Sequence, residues 1–111
     1  MTSNYLSNIY IVEDEIAVVR PLEDIHVKSM GHPVTFECEI SHDVSEYAWL
    51  KNGKPILADR NHRLSQGDGV YKLHISHVEP EDVAEYTFSC RGKKTSAKLI
   101  PKSKISLYEL G

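Results

Sequence analysis

Apolar and polar residues alternate along much of this chain, in short runs that end at turn-forming residues. The clearest run covers residues 34–40, where every even-numbered residue is apolar and every odd-numbered residue is polar. A repeat of two residues places alternate side chains on opposite faces of an extended strand. This run therefore predicts a β-strand with one face in a hydrophobic core and the other in water.

Other runs of the same kind predict further strands. They cover residues 17–20, 25–28, 47–50, 55–57, 63–65, 70–76, 85–90 and 95–100. Pro21 separates the first two, and Asn52-Gly53 is a strong signal for a tight hairpin turn. Gly67-Asp68-Gly69 and residues 91–94 predict two more turns. Many short strands with closely spaced turns, and no helical repeat of useful length, predict an all-β fold in which two antiparallel sheets form a sandwich.

The length and composition fit a single folded domain. The chain has 111 residues, of which 41% are hydrophobic and 26% charged, which suffices for one core but not for two. We assign the domain to residues 18–101. Residues 1–17 are interpreted as a linker or flexible N-terminal arm, with an ordered arm as the alternative, and residues 102–111 as a C-terminal linker.

Charge and hydropathy argue against two classes of partner. The 13 Lys and Arg residues are scattered among 16 Asp and Glu residues, which gives a net charge of −3. Nucleic-acid-binding proteins gather basic residues on one face, so we expect no nucleic acid partner. The apolar runs are far shorter than the roughly 20 residues that span a bilayer, and the N-terminus lacks the pattern of a secretory signal. We therefore expect no membrane partner and no export.

The most specific pattern joins the middle of the chain to its second half. It consists of Cys38, Trp49, Leu73-x-Ile75 and Asp82-x-Ala84-x-Tyr86. This pattern resembles the intermediate-set (I-set) immunoglobulin domains of giant intracellular muscle proteins, including titin-like and obscurin-like modules and those of myosin-binding protein C. The resemblance covers about residues 18–101, which is nearly the whole predicted domain.

The resemblance implies an immunoglobulin-like sandwich with Greek key connections. In that fold a Trp packs in the core, and a Tyr closes one corner with a hydrogen bond from its hydroxyl to the backbone. The core residues that follow are Cys38, Trp49, Leu73, Ile75, Tyr86 and Phe88. The resemblance also implies a structural salt bridge between Asp82 and an Arg of the strand at residues 63–65, for which Arg63 is the candidate and Arg60 the reserve.

Phe88 occupies the position of the second disulfide Cys in this family. Cys90 lies two residues further along the same strand, about 7 Å away at ~3.4 Å per residue. The Cα atoms of Cys38 and Cys90 are then expected about 9 Å apart, beyond the ~7 Å limit for a disulfide. We predict two free thiols and hence a reducing, cytoplasmic location, which the resemblance narrows to the sarcomere and the myofibril.

Candidate catalytic and metal-binding residues give weak signals. His74 and His77 are the closest pair among six histidines, but an offset of three residues on a strand sends side chains to opposite faces. Surface histidines are therefore favoured over a zinc site. The acidic group within residues 79–85 lacks the ligand spacing of a calcium loop. No nucleophile elbow or phosphate-binding loop occurs, so we predict no enzyme, no metal and no cofactor.

The leading functional hypothesis is a structural, mechanically loaded module in a tandem array, which serves as spacer, scaffold and elastic element of a sarcomeric or cytoskeletal protein. The strand with Ile25 and Val27 is expected to pair in parallel with the strand of Ala97 and Leu99, so that force loads their hydrogen bonds in shear. Its partners would be neighbouring immunoglobulin and fibronectin type III domains and sarcomeric or cytoskeletal proteins. The domain itself is expected to be a monomer.

The alternative hypothesis is a protein-recognition domain that docks a signalling or cytoskeletal partner, as in obscurin-like modules. The partner-binding residues are unknown from the sequence, and residues 1–17, Lys93-Lys94 and the region of Tyr47 are the places to test. A third interpretation, an extracellular adhesion module, is disfavoured by the missing secretory signal, the missing glycosylation acceptor and the position of Cys90.

Overall fold

A computed structural model of the chain describes residues 16–101, which contain nine strands and one short 3-10 turn. The strands are β1 (Val18–Arg20), β2 (Ile25–Val27), β3 (Val34–Ile40), β4 (Ala48–Lys51), β5 (Lys54–Pro55), β6 (His62–Gly67), β7 (Val70–Ile75), β8 (Glu85–Cys90) and β9 (Lys93–Pro101). The 3-10 turn, Pro80–Asp82, lies between β7 and β8.

The strands form two sheets. A four-stranded sheet has the order β1-β3-β7-β6, and a five-stranded sheet has the order β2-β9-β8-β4-β5. Neighbouring strands are antiparallel except β2 and β9, which run parallel. Apolar side chains from the inner faces of both sheets fill the space between them. The prediction of an all-β immunoglobulin-like sandwich is confirmed.

The chain changes sheets at residues 21–24, between β1 and β2. Pro21 has no N–H to donate to a ladder, and it falls where pairing with β3 ends. Leu22 is buried, and its N–H donates to Thr95 Oγ1 at 3.0 Å. The buried Leu22 side chain and this hydrogen bond help to hold the crossing in place, and β2 begins beside β9.

Three two-residue turns require left-handed backbone. Asn52-Gly53 has φ angles of 50° and 84°, and Arg91-Gly92 has 45° and 80°, values typical of the mirror-image turns that match strand twist. Asp68-Gly69 has the same character. A Cβ added at Gly69 would lie 2.7 Å from the carbonyl oxygen of Ile40, so this position also needs glycine for space. The hairpin turn predicted at Asn52-Gly53 is confirmed.

Strand boundaries differ from the sequence prediction mainly near turns. β9 begins at Lys93, two residues before the predicted start, because Lys93 still pairs with Cys90 across the tight turn. β5 covers only Lys54–Pro55, where the sequence predicted strand at residues 55–57. Pro55 has no N–H, which limits the pairing that the segment can form.

The predicted arm at residues 1–17 and the predicted linker at residues 102–111 lie almost entirely outside the described residues. Ile16 and Ala17 are the exceptions, and both belong to the sandwich. Ile16 is 4% exposed. The N–H of Ala17 donates to Ser41 Oγ, and its carbonyl accepts from the Ser41 N–H, both at 2.9 Å. The packed unit therefore starts at least two residues earlier than the sequence boundary.

Candidate functional site

At the centre of the core, three aromatic rings surround that of Phe88. The ring of Phe88 lies 4.9 Å from that of Tyr71, 5.2 Å from that of Trp49 and 5.5 Å from that of Tyr47, measured between centroids. Trp49 and Phe88 are neighbours in the five-stranded sheet, whereas Tyr71 belongs to the opposite sheet. Aromatic packing therefore connects the two sheets at the position where the resemblance has a disulfide.

Tyr71 also fixes the loop between β3 and β4. Its hydroxyl accepts a hydrogen bond from the Val44 N–H at 2.7 Å and donates to the Val44 carbonyl at 3.2 Å. The side chain is fully buried, so both bonds are shielded from water. Sequence analysis missed this residue, although its inward position in the alternating run at residues 70–76 was a usable signal.

The six core residues expected from the resemblance all lie in the interior. Each is at most 1% exposed; they are Cys38, Trp49, Leu73, Ile75, Tyr86 and Phe88. The two cysteines are free and buried. Burial raises the pKa of the Cys38 thiol to about 12, and burial also raises that of Cys90. Neither thiol is activated, which fits packing rather than redox chemistry.

The raised pKa of Cys38 predicts that the domain loses stability in alkali. An unfolded thiol ionises near its ordinary pKa of 9.0, but the folded thiol ionises only near 12. The stabilisation is thus complete below pH 9 and is lost as the pH rises towards 12. We expect the free energy of unfolding to fall by about 2 kcal/mol between pH 8.5 and 10.5 through this group. Denaturant titrations across this range measure it.

The matched variant for this test is Cys38→Ala, which removes the thiol and retains a small apolar side chain. Its stability is lower at every pH, but the loss between pH 8.5 and 10.5 should shrink by most of the predicted amount. An unchanged slope in the variant would show that Cys38 does not carry the effect. Tyr86 adds a loss that begins near pH 10, because burial raises its pKa from 10.0, but this loss is common to parent and variant and cancels in the comparison.

The corner between β7 and β8, residues 78–84, is closed by two buried side chains. The Tyr86 hydroxyl donates to the Asp82 carbonyl at 2.5 Å. The Asp82 carboxylate is 3% exposed, and its Oδ2 accepts from the Glu79 N–H at 2.8 Å. These bonds satisfy backbone groups at both ends of the 3-10 turn. Hereafter we call residues 78–84 the β7–β8 corner.

The partner of Asp82 needs a correction. The resemblance implied Arg63 as the partner of this carboxylate, with Arg60 in reserve, but neither takes part in the ion pairs found among residues 16–101. His62 takes the place instead, with its Nε2 at 3.2 Å from Asp82 Oδ1. In β6, His62 and Leu64 are partly buried while Arg63 is exposed. Because alternate side chains of a strand point in opposite directions, the inward position at the start of β6 belongs to His62.

His62 contacts a second carboxylate on its other side. Its Nδ1 lies 2.9 Å from Asp59 Oδ1, and the same oxygen accepts the N–H groups of Asn61 and His62 at 2.8 Å. The hydrogen bond with the His62 side chain, helped by these backbone groups, holds the pKa of Asp59 below its ordinary range. The imidazole therefore bridges an exposed carboxylate and a buried one.

The other candidate metal-binding residues have structural or surface positions. His74 Nδ1 lies 2.8 Å from Thr35 Oγ1 on the neighbouring strand, while His77 is an exposed turn residue. Within residues 16–101 no group of three or more His, Cys, Asp and Glu side chains is arranged to hold a metal ion. The same part of the chain contains no helix long and apolar enough to cross a membrane.

The parallel pair β2–β9 joins a strand from the first part of the domain to its last strand. Ile25 is opposite Leu99, His26 opposite Ile100, and Val27 opposite Pro101. Side chains strengthen the start of this ladder, where Asp24 Oδ1 accepts the Lys98 N–H at 2.7 Å. The parallel pairing of the strand of Ile25 and Val27 with the strand of Ala97 and Leu99 is confirmed. The structure adds the register, in which Val27 faces Pro101, beyond Leu99.

Comparison with known proteins identifies the family. The model of the immunoglobulin I-set domain matches residues 16–99. The chain belongs to the immunoglobulin I-set domain family. Cardiac-type myosin-binding protein C of Gallus gallus is 33% identical over 96 residues, which is 85% of this chain and 8% of that protein.

Solved I-set domains of titin have the same fold. Titin domain I10 is 30% identical, with a TM-score of 0.74 over 80% of this chain and 100% of that chain. The titin domains Z1Z2, solved in complex with telethonin, are 28% identical, with a TM-score of 0.69 over 78% of this chain and 47% of theirs. Because this I-set chain spans less than a tenth of the curated myosin-binding protein C, that similarity concerns one module of a much longer protein.

Proposed function

We propose that this I-set domain is a load-bearing structural module in a tandem array of an intracellular sarcomeric protein. The parallel β2–β9 ladder is the observation that carries the proposal, because it connects the strand near the chain's start to the strand that leaves the domain. The similarity to myosin-binding protein C and titin modules supports the same role. A passive spacer needs no such connection between its ends.

Ala17 and Pro101, near the two limits of the described residues, lie at opposite ends of the sandwich. Ala17 is bonded to Ser41, just after β3 ends. β9 leaves at Pro101 beside Val27, close to the β7–β8 corner, where the Leu99 N–H donates to the Ala84 carbonyl at 3.0 Å. Tension along an array pulls β2 and β9 in opposite directions along their axes. It therefore loads their hydrogen bonds together, in shear, rather than one at a time.

Because both cysteines are free thiols, the unfolded module can extend over its whole length. Once the core opens, no covalent bond between Cys38 and Cys90 limits extension. Residues 16–101 would then extend to on the order of 300 Å at ~3.5 Å per residue. In this proposal the partners are neighbouring immunoglobulin and fibronectin type III domains, residues 1–17 and 102–111 act mainly as linkers, and the domain works as a cytoplasmic monomer of the myofibril without enzymatic activity.

Single-molecule pulling of tandem copies tests the load-bearing role. We expect Asp24→Ala to lower the mean unfolding force, because it removes the hydrogen bond to the Lys98 N–H at the start of the ladder. A hydrogen bond to a charged group contributes about 1.5–3 kcal/mol, and the exposure of this pair puts the equilibrium loss nearer 1 kcal/mol. The mean unfolding force should fall further than it would for a substitution away from the ladder that lowers the free energy of unfolding by the same amount.

Glu23→Ala is the matched control, because Glu23 is the adjacent exposed acid and takes no part in the hydrogen bonds described for the ladder. Its unfolding force should equal that of the parent domain. Equal forces for Asp24→Ala and Glu23→Ala, or unfolding of the parent at negligible force, would refute the proposal that β2–β9 bears load.

A second candidate function is recognition of another protein. The titin domains Z1Z2 form a complex with telethonin, and β6 of this domain lies at the edge of its sheet among the described residues. An edge strand can accept an added strand through its free backbone groups. Pull-down from muscle lysate with the parent and with Leu64→Pro tests this role: a partner lost only in the variant, with the fold intact by circular dichroism, would favour recognition.

A further inference from the structure

The outer edge of β6 carries backbone groups that no other described strand pairs with. β6 is the last strand of its sheet, and it pairs with β7 on one side along its whole length. The backbone groups of successive residues point to opposite sides of a strand in an antiparallel ladder. Half of the groups of β6 therefore face β7, and the other half face the edge, where a further strand can bond them.

Two backbone hydrogen bonds at the start of β6 show which residues face the edge. The Ser76 N–H donates to the Asn61 carbonyl at 2.9 Å, so position 61 faces the side of β7. The Asp59 N–H donates to the His62 carbonyl, also at 2.9 Å, so position 62 faces the opposite side. Because the direction alternates along the strand, odd-numbered residues of β6 face β7 and even-numbered residues face the edge.

Leu64 and Gln66 form the open part of this edge. The outward groups of His62 are already bonded, because the Asp59 side chain accepts its N–H and the Asp59 N–H donates to its carbonyl. For the outward groups of Leu64 and Gln66, the described part of the chain supplies no backbone partner. Two N–H donors and two C=O acceptors, spaced by about 7 Å along the strand, are thus available to an added strand.

The side chains beside these groups differ between the two faces of the sheet. On the inner face, Leu64 is partly buried and packs against the core. On the outer face, Arg63 is exposed, and Arg60 is exposed just before the strand. Neither Arg takes part in the ion pairs found in the described part of the chain, and the nearby carboxylate of Asp59 is already bonded to His62. The edge is therefore apolar towards the core and positively charged towards water.

We infer that the β6 edge of this I-set domain binds an extended segment of another protein in which apolar and acidic residues alternate. The inference rests on the second candidate function above, and it gives that function a site and a partner chemistry. The backbone of the added strand bonds the outward groups of Leu64 and Gln66. Because its side chains alternate between the two faces, apolar residues meet Leu64 and acidic residues meet Arg63.

A second copy of the domain matches this edge less well than an acidic strand does. The sequence of β6, His62–Gly67, contains no acidic residue. Two copies that paired through their β6 edges would therefore leave Arg63 of each without a counter-charge. An exposed positive charge on an edge strand also disfavours edge-to-edge association of identical chains. Charge complementarity thus favours a different protein as the partner.

Titration of the full 111-residue chain with two capped synthetic peptides tests the site. Val alternates with Glu in one peptide and with Lys in the other, so the two differ in charge but have similar strand propensity. Fluorescence anisotropy of the labelled peptides measures their Kd values at low ionic strength. We expect the Glu peptide to bind roughly fivefold more tightly than the Lys peptide, which is the scale of an exposed ion pair. The difference should shrink at high salt.

The variant Arg63→Glu should reverse this preference, so that the Lys peptide binds more tightly than the Glu peptide. Lys94→Glu is the matched control, because it makes the same change of net charge at an exposed residue of β9, in the other sheet. This control should keep the preference of the parent. Equal affinities of the parent for both peptides, or an unchanged preference in Arg63→Glu, would overturn the inference.

A proline at position 66 tests the backbone part of the site. Gln66→Pro removes an outward N–H and leaves the bonds to β7 in place, a position that proline tolerates in edge strands. Gln66→Ala is the matched control, because it truncates the same exposed side chain but keeps the N–H. The Glu peptide should bind Gln66→Pro roughly tenfold more weakly than Gln66→Ala, since a hydrogen bond is lost and the ring obstructs the added strand. Equal affinities of the two variants would contradict strand addition at β6.

Amide hydrogen exchange, followed by NMR, provides a measurement that needs no variant. In the free domain, the amides of Leu64 and Gln66 should exchange faster than those of Arg63 and Ser65, which face β7. Saturation with the Glu peptide should slow the exchange of Leu64 and Gln66.

Two other results of the exchange measurement would overturn the inference. If a muscle protein bound the domain and left the Leu64 and Gln66 amides unprotected, recognition as a function would stand but its site would lie elsewhere. If these amides became protected in the domain alone as its concentration rose, a second copy would occupy the edge.

Discussion

Replacing Phe88 with Ala is expected to lower the free energy of unfolding by about 3–5 kcal/mol. The ring is 1% exposed and lies within 5.5 Å of three other aromatic rings, from both sheets. The substitution removes the contacts of the ring and leaves a cavity that rigid strands on both sides prevent from closing. Urea unfolding of parent and variant, compared at pH 7, measures the loss.

Leu57→Ala is the control for this prediction. Leu57 is also a large apolar residue, but it is 81% exposed, so its truncation should change the free energy of unfolding by no more than about 0.5 kcal/mol. A loss below about 1.5 kcal/mol for Phe88→Ala, the scale of a partly exposed apolar side chain, would contradict a central role for the ring.

The aromatic packing of Tyr47, Trp49 and Tyr71 around Phe88 can replace the stabilisation that a disulfide provides. A disulfide in a domain of this kind contributes about 2–4 kcal/mol, mainly through the unfolded chain. Aromatic pairs contribute about 0.5–1.5 kcal/mol each beyond the burial of their area, and Phe88 takes part in three such pairs. The two contributions to the free energy of unfolding are therefore similar in size. Aromatic packing is lost when the core opens, however, whereas a disulfide persists. This difference suits the load-bearing role proposed above.

Replacing Asp82 with Ala is expected to lower the free energy of unfolding by about 3 kcal/mol. The Glu79 N–H and the His62 ring both lose their acceptor, and the buried space of the carboxylate is left empty. Urea unfolding of parent and variant at pH 7 measures the loss.

Glu81→Ala is the matched control, since Glu81 is the adjacent residue of the same 3-10 turn and is exposed. It should change the free energy of unfolding by no more than about 0.5 kcal/mol. If the two variants had equal stability, the Asp82 carboxylate would be a solvated surface charge, contrary to its 3% exposure.

Local pattern was enough to predict most of the fold. The strand at residues 34–40 was predicted with the bounds that the structure has, and so was the strand at residues 85–90. Both alternate strictly, because one face of each strand meets the core and the other meets water. Asn52-Gly53 predicted its hairpin because only a few residues adopt two consecutive positive φ angles without strain.

The bond from the Tyr86 hydroxyl to the backbone followed from the resemblance, and so did the parallel pairing of β2 with β9. The acceptor, the Asp82 carbonyl, and the register of the two strands came from the structure. The partners of individual side chains were harder to predict from the sequence. The resemblance implied Arg63 as the partner of Asp82, yet the partner is His62, because the His62 side chain points inward from β6 and that of Arg63 points outward.

The sequence by itself determined the strands, their turns and the inward faces, because all of these depend on residue type and spacing within a few neighbouring positions. The lack of a bridge between Cys38 and Cys90 was predicted with the help of the resemblance, which places Phe88, and not Cys90, opposite Cys38. Only the tertiary structure decided that Tyr71 meets Phe88 and that His62 stands between Asp59 and Asp82. These contacts join residues far apart in the chain, and their geometry depends on how two twisted sheets pack, which no local pattern specifies.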